Sequence, residues 1–233
     1  KTALAEHGKV ELAQVEEIWH GLDPPYRALF DWIEGRTAPP QIDTSRLFRP
    51  LMLAQPLEEG DLLALKPEDF RAEWKWDGIR VQWIAGKAQS YLWSRGEELM
   101  SEQFPDLTIE SFRHMIPVGT LIDAELVAWD PNLNQVAGFA ALQTRLNRKR
   151  VNTALTRSHP VVLIAYDLLR LGDEDLRQQA LSMRREKLHV LAAKLSGALM
   201  LSPCFSLSRW TDLAELRHQA SQLRAEGLML KRR

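Results

Sequence analysis

The sequence predicts an α+β fold, with antiparallel sheets flanked by helices and a short helical segment in front of them. Three observations predict it. Apolar residues recur at helical spacing up to about residue 40, a strand and hairpin pattern takes over from Phe48, and two further amphipathic helical patterns interrupt the strands near the end. With 233 residues, 45% of them apolar and 26% charged, the chain has room for one large domain, or one domain with part of another, around a real core.

Composition also excludes. No run of eighteen apolar residues is present to span a membrane. The single cysteine, Cys204, rules out an internal disulfide and a multi-cysteine zinc site and fits a reducing compartment. His7, His20, His114, His159, His189 and His218 show no ligand spacing. A net charge of -1 gives no global argument for nucleic-acid binding, so any such footprint is local. Its clearest candidate is Arg145, Arg148, Lys149 and Arg150, with Arg157 and the closing Lys231-Arg232-Arg233, although a charge run is usually a solvated face.

In order along the chain, Leu12, Val15, Ile18 and Trp19 form a first helical stripe ending near Gly21. Pro24-Pro25 restarts the chain, Tyr26, Leu29, Phe30 and Ile33 form a second stripe, and Gly35 closes it before Ala38-Pro39-Pro40. A domain boundary is expected there, with residues 1–40 in one domain and its linker and 41–233 in another. Two such short helices do not fold alone, so the first is expected to be the tail of a larger helical domain. Val81 and Trp83 alternate with Arg80 and Gln82, Ala85-Gly86-Lys87 turns the chain, and Tyr91 to Ser94 returns as a hairpin closed by Ser94-Arg95-Gly96. Leu121 to Trp129 reads as a strand that carries Asp123 and Glu125 on the face opposite Ile122, Ala124, Leu126 and Ala128. Two neighbouring carboxylates repel unless they are solvated, as expected for Asp123, or hold a cation or sugar hydroxyls, as expected for Glu125. Val161 to Leu168 reads as a buried strand ending at Tyr166-Asp167, where the ring is either core or a platform for a purine. Leu181, Leu188, Leu191, Ala192 and Leu195 define one helix. Leu213, Leu216, Ala220 and Leu223 define another, capped at Thr211-Asp212, which leads into Glu226-Gly227-Leu228-Met229-Leu230-Lys231.

The stretch with the most chemistry is Glu73-Trp74-Lys75-Trp76-Asp77-Gly78-Ile79-Arg80. Rings on both sides of Lys75 are expected to withdraw it partly from water, favouring the neutral amine that a nucleophile needs. Asp77-Gly78 gives a tight turn, and Arg80 a permanent cation able to hold ribose or phosphate oxygens. Alone, K-x-D-G reads equally well as an amphipathic strand edge with a snorkelling lysine.

The longer pattern, E-x-K-x-D-G-x-R, resembles the first motif of the covalent nucleotidyltransferases: ATP-dependent DNA ligases, RNA ligases and mRNA capping enzymes. With Ser94-Arg95-Gly96, Asp123-Ala124-Glu125, Tyr166-Asp167 and Glu226 to Lys231 following in order, the set resembles the successive motifs of ATP-dependent DNA ligases over roughly residues 48 to 233. Phe139 to Arg150, with Leu142-Gln143-Thr144-Arg145, is also similar to a ligase segment, and capping enzymes are less similar there.

The resemblance implies an adenylation domain in which Lys75 attacks the α-phosphate of ATP and carries AMP as a lysyl adduct. It implies that Glu73 reads adenine with Trp74 beside it, that Arg80 and Glu125 hold the ribose side, and that Tyr166 stacks on the base. Lys231 would belong to the nucleotide site, Glu125 and Glu226 to Mg²⁺, and Arg95 to the 5′-phosphate of a nick in double-stranded DNA. Residues 1–40 would be the end of a helical DNA-binding domain, and the closing motif with its two lysines and an oligonucleotide-binding-fold domain would be missing from this stretch. The expected setting is a monomer in a bacterial cytoplasm, associated with the nucleoid, not a membrane. NAD-dependent ligases usually lack the arginine after K-x-D-G and add a cysteine-rich zinc module, so Arg80 and the single cysteine favour ATP. The alternatives are an RNA ligase or mRNA capping guanylyltransferase, or a non-catalytic nucleotide-binding module.

Overall fold

The structure, a computed structural model, describes residues 1–22, 24–42, 47–87, 89–108, 115–148, 150–195 and 199–233. Lys149 and His114 lie outside the described residues. The chain divides into two compact units, Lys1–Leu53 and Ala54–Arg233, later along the chain than the Pro39-Pro40 break.

The first unit holds helices α1 (Thr2–Gly8), α2 (Leu12–Trp19) and α3 (Arg27–Ile33). Most of the stripes read from sequence supply its core: Val15 and Ile18 of α2 bury against Leu29, Trp32 and Ile33 of α3 and Ala5 of α1, whereas Phe30, read as part of the second stripe, is exposed and Trp32 is buried instead. Trp19 stacks on Tyr26 at 4.8 Å between ring centroids. Leu47 and Phe48 are buried too, and Arg49 pairs with Glu17, which ties the segment after the prolines to this unit.

The second unit is built on two sheets. The larger places β3 (Ser90–Ser94), β2 (Ile79–Ala85), β4 (Leu121–Asp130), β6 (Val161–Leu171) and β7 (Glu174–Asp175) side by side, with β5 (Gln135–Val136) on β4 and β8 (Leu199–Leu201) on β6. All of these pairings are antiparallel except β6 with β8. The smaller sheet has the order β10 (Ala225–Arg232), β1 (Phe70–Trp76), β9 (Cys204–Ser206). Four further helices are named here: α4 (Glu59–Ala64), α5 (Phe139–Leu146), α6 (Thr153–Ser158) and α7 (Leu181–Ala192). The last helix, α8 (Asp212–Gln222), precedes β10. The α+β class expected from sequence is the class observed.

Alternation sorts the large sheet. Val81, Trp83, Ile122, Ala124, Leu126, Leu163 and Ala165 face one core with Leu142 of α5 and Leu188 and Leu191 of α7, and Trp83 Nε1 donates to the Leu107 carbonyl at 2.8 Å. The opposite face carries Val127, Val162 and Ile164 against Trp76 and Trp129. The small sheet is covered by α8, whose Ala220 and Leu216 meet Trp74, Ala225 and Leu228.

Lys75 and the hairpin belong to different sheets, because β1 lies in the small sheet and β2 in the large one, so the motif crosses between sheets at Asp77-Gly78. One expectation changes here. The Thr211 side chain does not cap α8. Asp212 acts instead on the preceding turn, accepting from the Ser208 and Arg209 amides at 3.2 and 3.0 Å.

Candidate active site

The crossing at Gly78 sets the site. A β-carbon there would meet the Leu126 carbonyl oxygen at 2.5 Å, Val127 Cγ1 at 2.8 Å and Glu125 Cγ at 2.9 Å, so only glycine lets the turn lie on β4 beside Glu125. From this point β2 runs with Arg80 opposite Glu125 and Gln82 opposite Asp123. β1 runs the other way, with Lys75 opposite Gly227 and a register shift just after it.

Glu73 and Lys75 alternate with Trp74 and so lie on the other face of β1. Lys75 Nζ contacts the carboxylate of Glu226, with side chains 50% and 47% exposed. The expected desolvation of Lys75 by its neighbours is therefore not found. Trp74 packs on Phe205 at 4.7 Å on the α8 side, and Trp76 packs both against that cluster and toward Val127, Val162 and Ile164, so both rings are engaged with apolar neighbours. The Trp74 side chain accordingly stands apart from the polar cluster, and only its main chain runs along it.

Glu73 is 1% exposed. Its Oε2 accepts from Lys231 Nζ at 3.1 Å, and Lys231 sits 4.4 Å from the centroid of the Tyr166 ring. Tyr166 is the extra residue of a bulge in β6: Asp167 is opposite Asp123 and Ala165 opposite Ala124, with nothing across from Tyr166. The bulge brings its ring to the Asp123 side, where its hydroxyl donates to Asp123 Oδ1 at 3.3 Å.

Asp123 is buried, not solvated. Arg80 grips it with two hydrogen bonds, Nε to Oδ1 at 3.1 Å and Nη2 to Oδ2 at 2.6 Å, so Arg80 is committed to Asp123 across the sheet. Burial works against the Arg80 charge, but the Asp123 hydrogen bonds and charge outweigh it and leave the guanidinium above its ordinary value. Burial also raises the Asp123 carboxyl and is partly offset by Arg80. The Tyr166 hydroxyl is pushed up by burial and then by the charge of Asp123. Glu125 is pushed up to about 8, mainly by burial; Arg80 and Lys75 oppose the shift and Asp123 and Asp77 add to it.

Arg95 is exposed in the turn after β3, and its amide donates to the Arg80 carbonyl at 3.1 Å. It thus extends the row that runs through Arg80 to Glu125. Arg145 leaves the basic surface patch altogether: its side chain is 0% exposed, lies 4.6 Å from the Phe104 ring centroid, pairs with Asp106 and donates to the Gln103 carbonyl at 2.9 Å. Arg148, Arg150 and Arg157 are exposed.

Two arginines were missed by sequence reading. Arg184 forms a paired contact with Asp167 at 2.8 and 2.9 Å, and Arg185 beside it reaches the carbonyls of Tyr166 and Ser202. The signal for the first was present, since position 184 falls on the same stripe as Leu181, Leu188 and Leu191 and a charge there needs a buried partner. A cleft of about 410 Å³ lined by Arg71, Ser182, Met183, Arg185, Glu186, His189 and Leu201 opens toward the Arg71 end of β1, away from Lys75. Among the described residues no group of three or more His, Cys, Asp and Glu side chains is placed to hold a metal ion.

A lysine amine, carboxylates, a tyrosine ring and further cations are thus brought in by β1, β2, β4, β6 and β10. The family model of the ATP-dependent DNA ligase domain matches residues 51–233, most of the chain. The chain belongs to the ATP-dependent DNA ligase domain family.

Its relatives in this ligase family include a DNA ligase of Sulfurisphaera tokodaii, 28% identical over 184 residues that make up 78% of this chain and 30% of that protein. DNA ligase 1 of Saccharomyces cerevisiae is 29% identical over 77% of this chain and 24% of its own length. DNA ligase C of Mycobacterium tuberculosis is 35% identical over 70% of this chain and 44% of its own. The chain therefore spans less than half of each of these ligases. Its fold is similar to that of the ligase domain of M. tuberculosis LigD, with a TM-score of 0.52 at 24% identity over 74% of this chain and 51% of that one. The Chlorella virus DNA ligase-adenylate is similar too, with a TM-score of 0.53 at 15% identity over 80% of this chain and 61% of that one.

Proposed function

We propose that this chain is the adenylation part of a DNA ligase and that Lys75 is its nucleophile. The observation that carries the reading is the meeting of Lys75 and Glu226 from the small sheet, with Glu125 of the large sheet close enough to feel the lysine's charge. In this reading the neutral Lys75 amine attacks the α-phosphorus of ATP, the N–P bond forms as the P–O bond to pyrophosphate breaks, and the one proton shed by the nitrogen goes to water. Tyr166 stacks on adenine, Glu73 reads its edge, and Lys231 and Arg80 supply positive charge beside them. Arg80 acts through Asp123, which it holds, and Glu125 faces the ribose.

The donors suit a hard cation such as Mg²⁺, which takes one or two carboxylates and completes its shell with water and phosphate oxygens. Glu125 and Glu226 are the residues that would hold it, and it would offset charge developing on the phosphate. AMP would then pass to the 5′-phosphate of a nick in duplex DNA, gripped by Arg95, before the 3′-hydroxyl seals the strand. The first unit fits the end of a helical DNA-binding domain, and the protein would act as a monomer beside the bacterial nucleoid. Among the described residues no helix is long and apolar enough to cross a membrane.

The test is an intact-mass measurement after incubation with ATP or GTP and Mg²⁺. An increment of one AMP from ATP supports the reading. An increment of one GMP from GTP alone would turn it toward a capping guanylyltransferase, and none with either nucleotide toward a binding module. Adenylated protein mixed with nicked DNA or nicked RNA then separates a DNA ligase from an RNA ligase. The Arg95→Ala variant should keep the adduct yet transfer AMP poorly to the nick.

A further inference from the structure

Arg185 touches three separate segments with one guanidinium. From the first turns of α7, Nη1 donates to the Tyr166 carbonyl at 3.2 Å and lies 3.5 Å from that of Ala165, both at the bulge. Nη2 donates to the Ser202 carbonyl at 2.7 Å, just after β8. Nη1 also lies 3.9 Å from Glu73 Oε1, in β1 of the other sheet. The Arg185 side chain is 10% exposed and that of Glu73 is 2%.

The two oxygens of Glu73 are treated differently. Oε2 accepts from Lys231, whereas Oε1 is a buried atom with no hydrogen-bond partner among the described residues. At 3.9 Å, Arg185 attracts Oε1 by charge without donating to it. A buried acceptor left in that condition favours any ligand that brings a donor.

We propose that Arg185 is a positioning residue that sets the base selectivity of the nucleotide site. It rests on the adenylation reading above. By bonding the backbone of Tyr166 on one side and facing Glu73 on the other, Arg185 fixes the gap between the stacking ring and the reading carboxylate. It also leaves Oε1, itself buried, without a donor among the described residues. The 6-amino group of adenine supplies the missing donor, and guanine presents a carbonyl oxygen at the same place, which a carboxylate repels. Lysine would not replace it, since a single ammonium lacks the planar fork that spans Tyr166 and Ser202.

The experiment measures adduct formation at subsaturating ATP, GTP and purine riboside triphosphate, which lacks the 6-amino group. It compares the unaltered chain with Arg185→Lys, Arg185→Ala and, as reference, Glu73→Ala. The unaltered chain should prefer ATP over purine riboside triphosphate by roughly 10- to 100-fold, the range for a hydrogen bond to a charged group. Both Arg185 variants should lose most of that preference, approaching Glu73→Ala, with KM for ATP rising more than kcat falls. Arg185→Lys keeps a cation in place and carries the test if the alanine variant does not fold. Slower reaction with the preference intact would make Arg185 a purely structural residue and overturn the inference alone. No adduct from the unaltered chain with any nucleotide would overturn the adenylation reading and this inference with it.

Discussion

Lys75 and Glu226 face each other across the antiparallel pair β1–β10, ammonium against carboxylate, with about half of each side chain open to water. Such a pair stabilises a fold little, on the order of 0 to 1 kcal/mol. Lys75→Ala should therefore unfold in urea within about 1 kcal/mol of the unaltered chain while losing the AMP adduct completely. An adduct of undiminished yield on that variant would place the nucleophile elsewhere.

Tyr166 divides its role between ring and hydroxyl. The ring is the stacking surface and the hydroxyl makes a long, 3.3 Å bond to Asp123. Tyr166→Ala should weaken ATP use by roughly 1 to 3 kcal/mol, as for bases stacked on aromatics, and Tyr166→Phe by far less. Equal losses in the two variants, read from KM for ATP, would assign the effect to the hydroxyl.

At Gly78 the expectation is a steric one. The added carbon of Gly78→Ala has no space between the Leu126 carbonyl and Val127 and should cost about 1 to 3 kcal/mol by overpacking. Because Glu125 is the third neighbour, adduct formation should fall even in conditions where the variant is fully folded. Urea unfolding together with intact mass checks both halves.

Glu125 gives a pH signature. Between the ordinary 4.5 and about 8 the folded chain holds a proton that the unfolded chain has released. Stability from this group is thus kept at low pH and lost as pH rises across that window, by at most about 1.4 kcal/mol per pH unit. In nucleotide-free protein, Glu125→Gln should gain in Tm over the unaltered chain progressively from pH 5 to 8 and no further above it. A Tm difference that stays constant with pH would count against a protonated Glu125.

Much of this was legible in the sequence because strands and helices bury one face in a fixed period. The stripe Val15, Ile18, Leu29, Ile33 and the alternation through Ile122, Ala124 and Leu126 became cores as read. The ordered motifs led to residues that the fold does assemble. What escaped was what depends on a third dimension. Asp123 looked solvated because its partner, Arg80, is 43 residues away in sequence. Trp74 and Trp76 looked like walls around Lys75, although alternation and the register shift after Lys75 turn their rings toward other clusters. Arg145 looked like part of a basic surface, but it sits in α5 beside the fully buried Leu142, where Asp106 and backbone carbonyls take its two terminal nitrogens. Arg185 had no sequence signal, since its partners are main-chain carbonyls that any residue could provide.

The bulge at Tyr166 has a bearing on how this strand tolerates change. Up to Ala165, even-numbered residues of β6 share the side of Glu125, and beyond the bulge Asp167 shares the side of Asp123, so the odd positions have taken over. The extra residue is thus a change of parity, and it lets Tyr166 and Asp167 both serve the polar side. A one-residue deletion here would remove this shift, leaving the one between Leu121 and Ile122, and drive one of the two into the layer occupied by Ala124 and Ile122. Substitutions in β6 test single side chains, whereas its length tests the whole polar side at once.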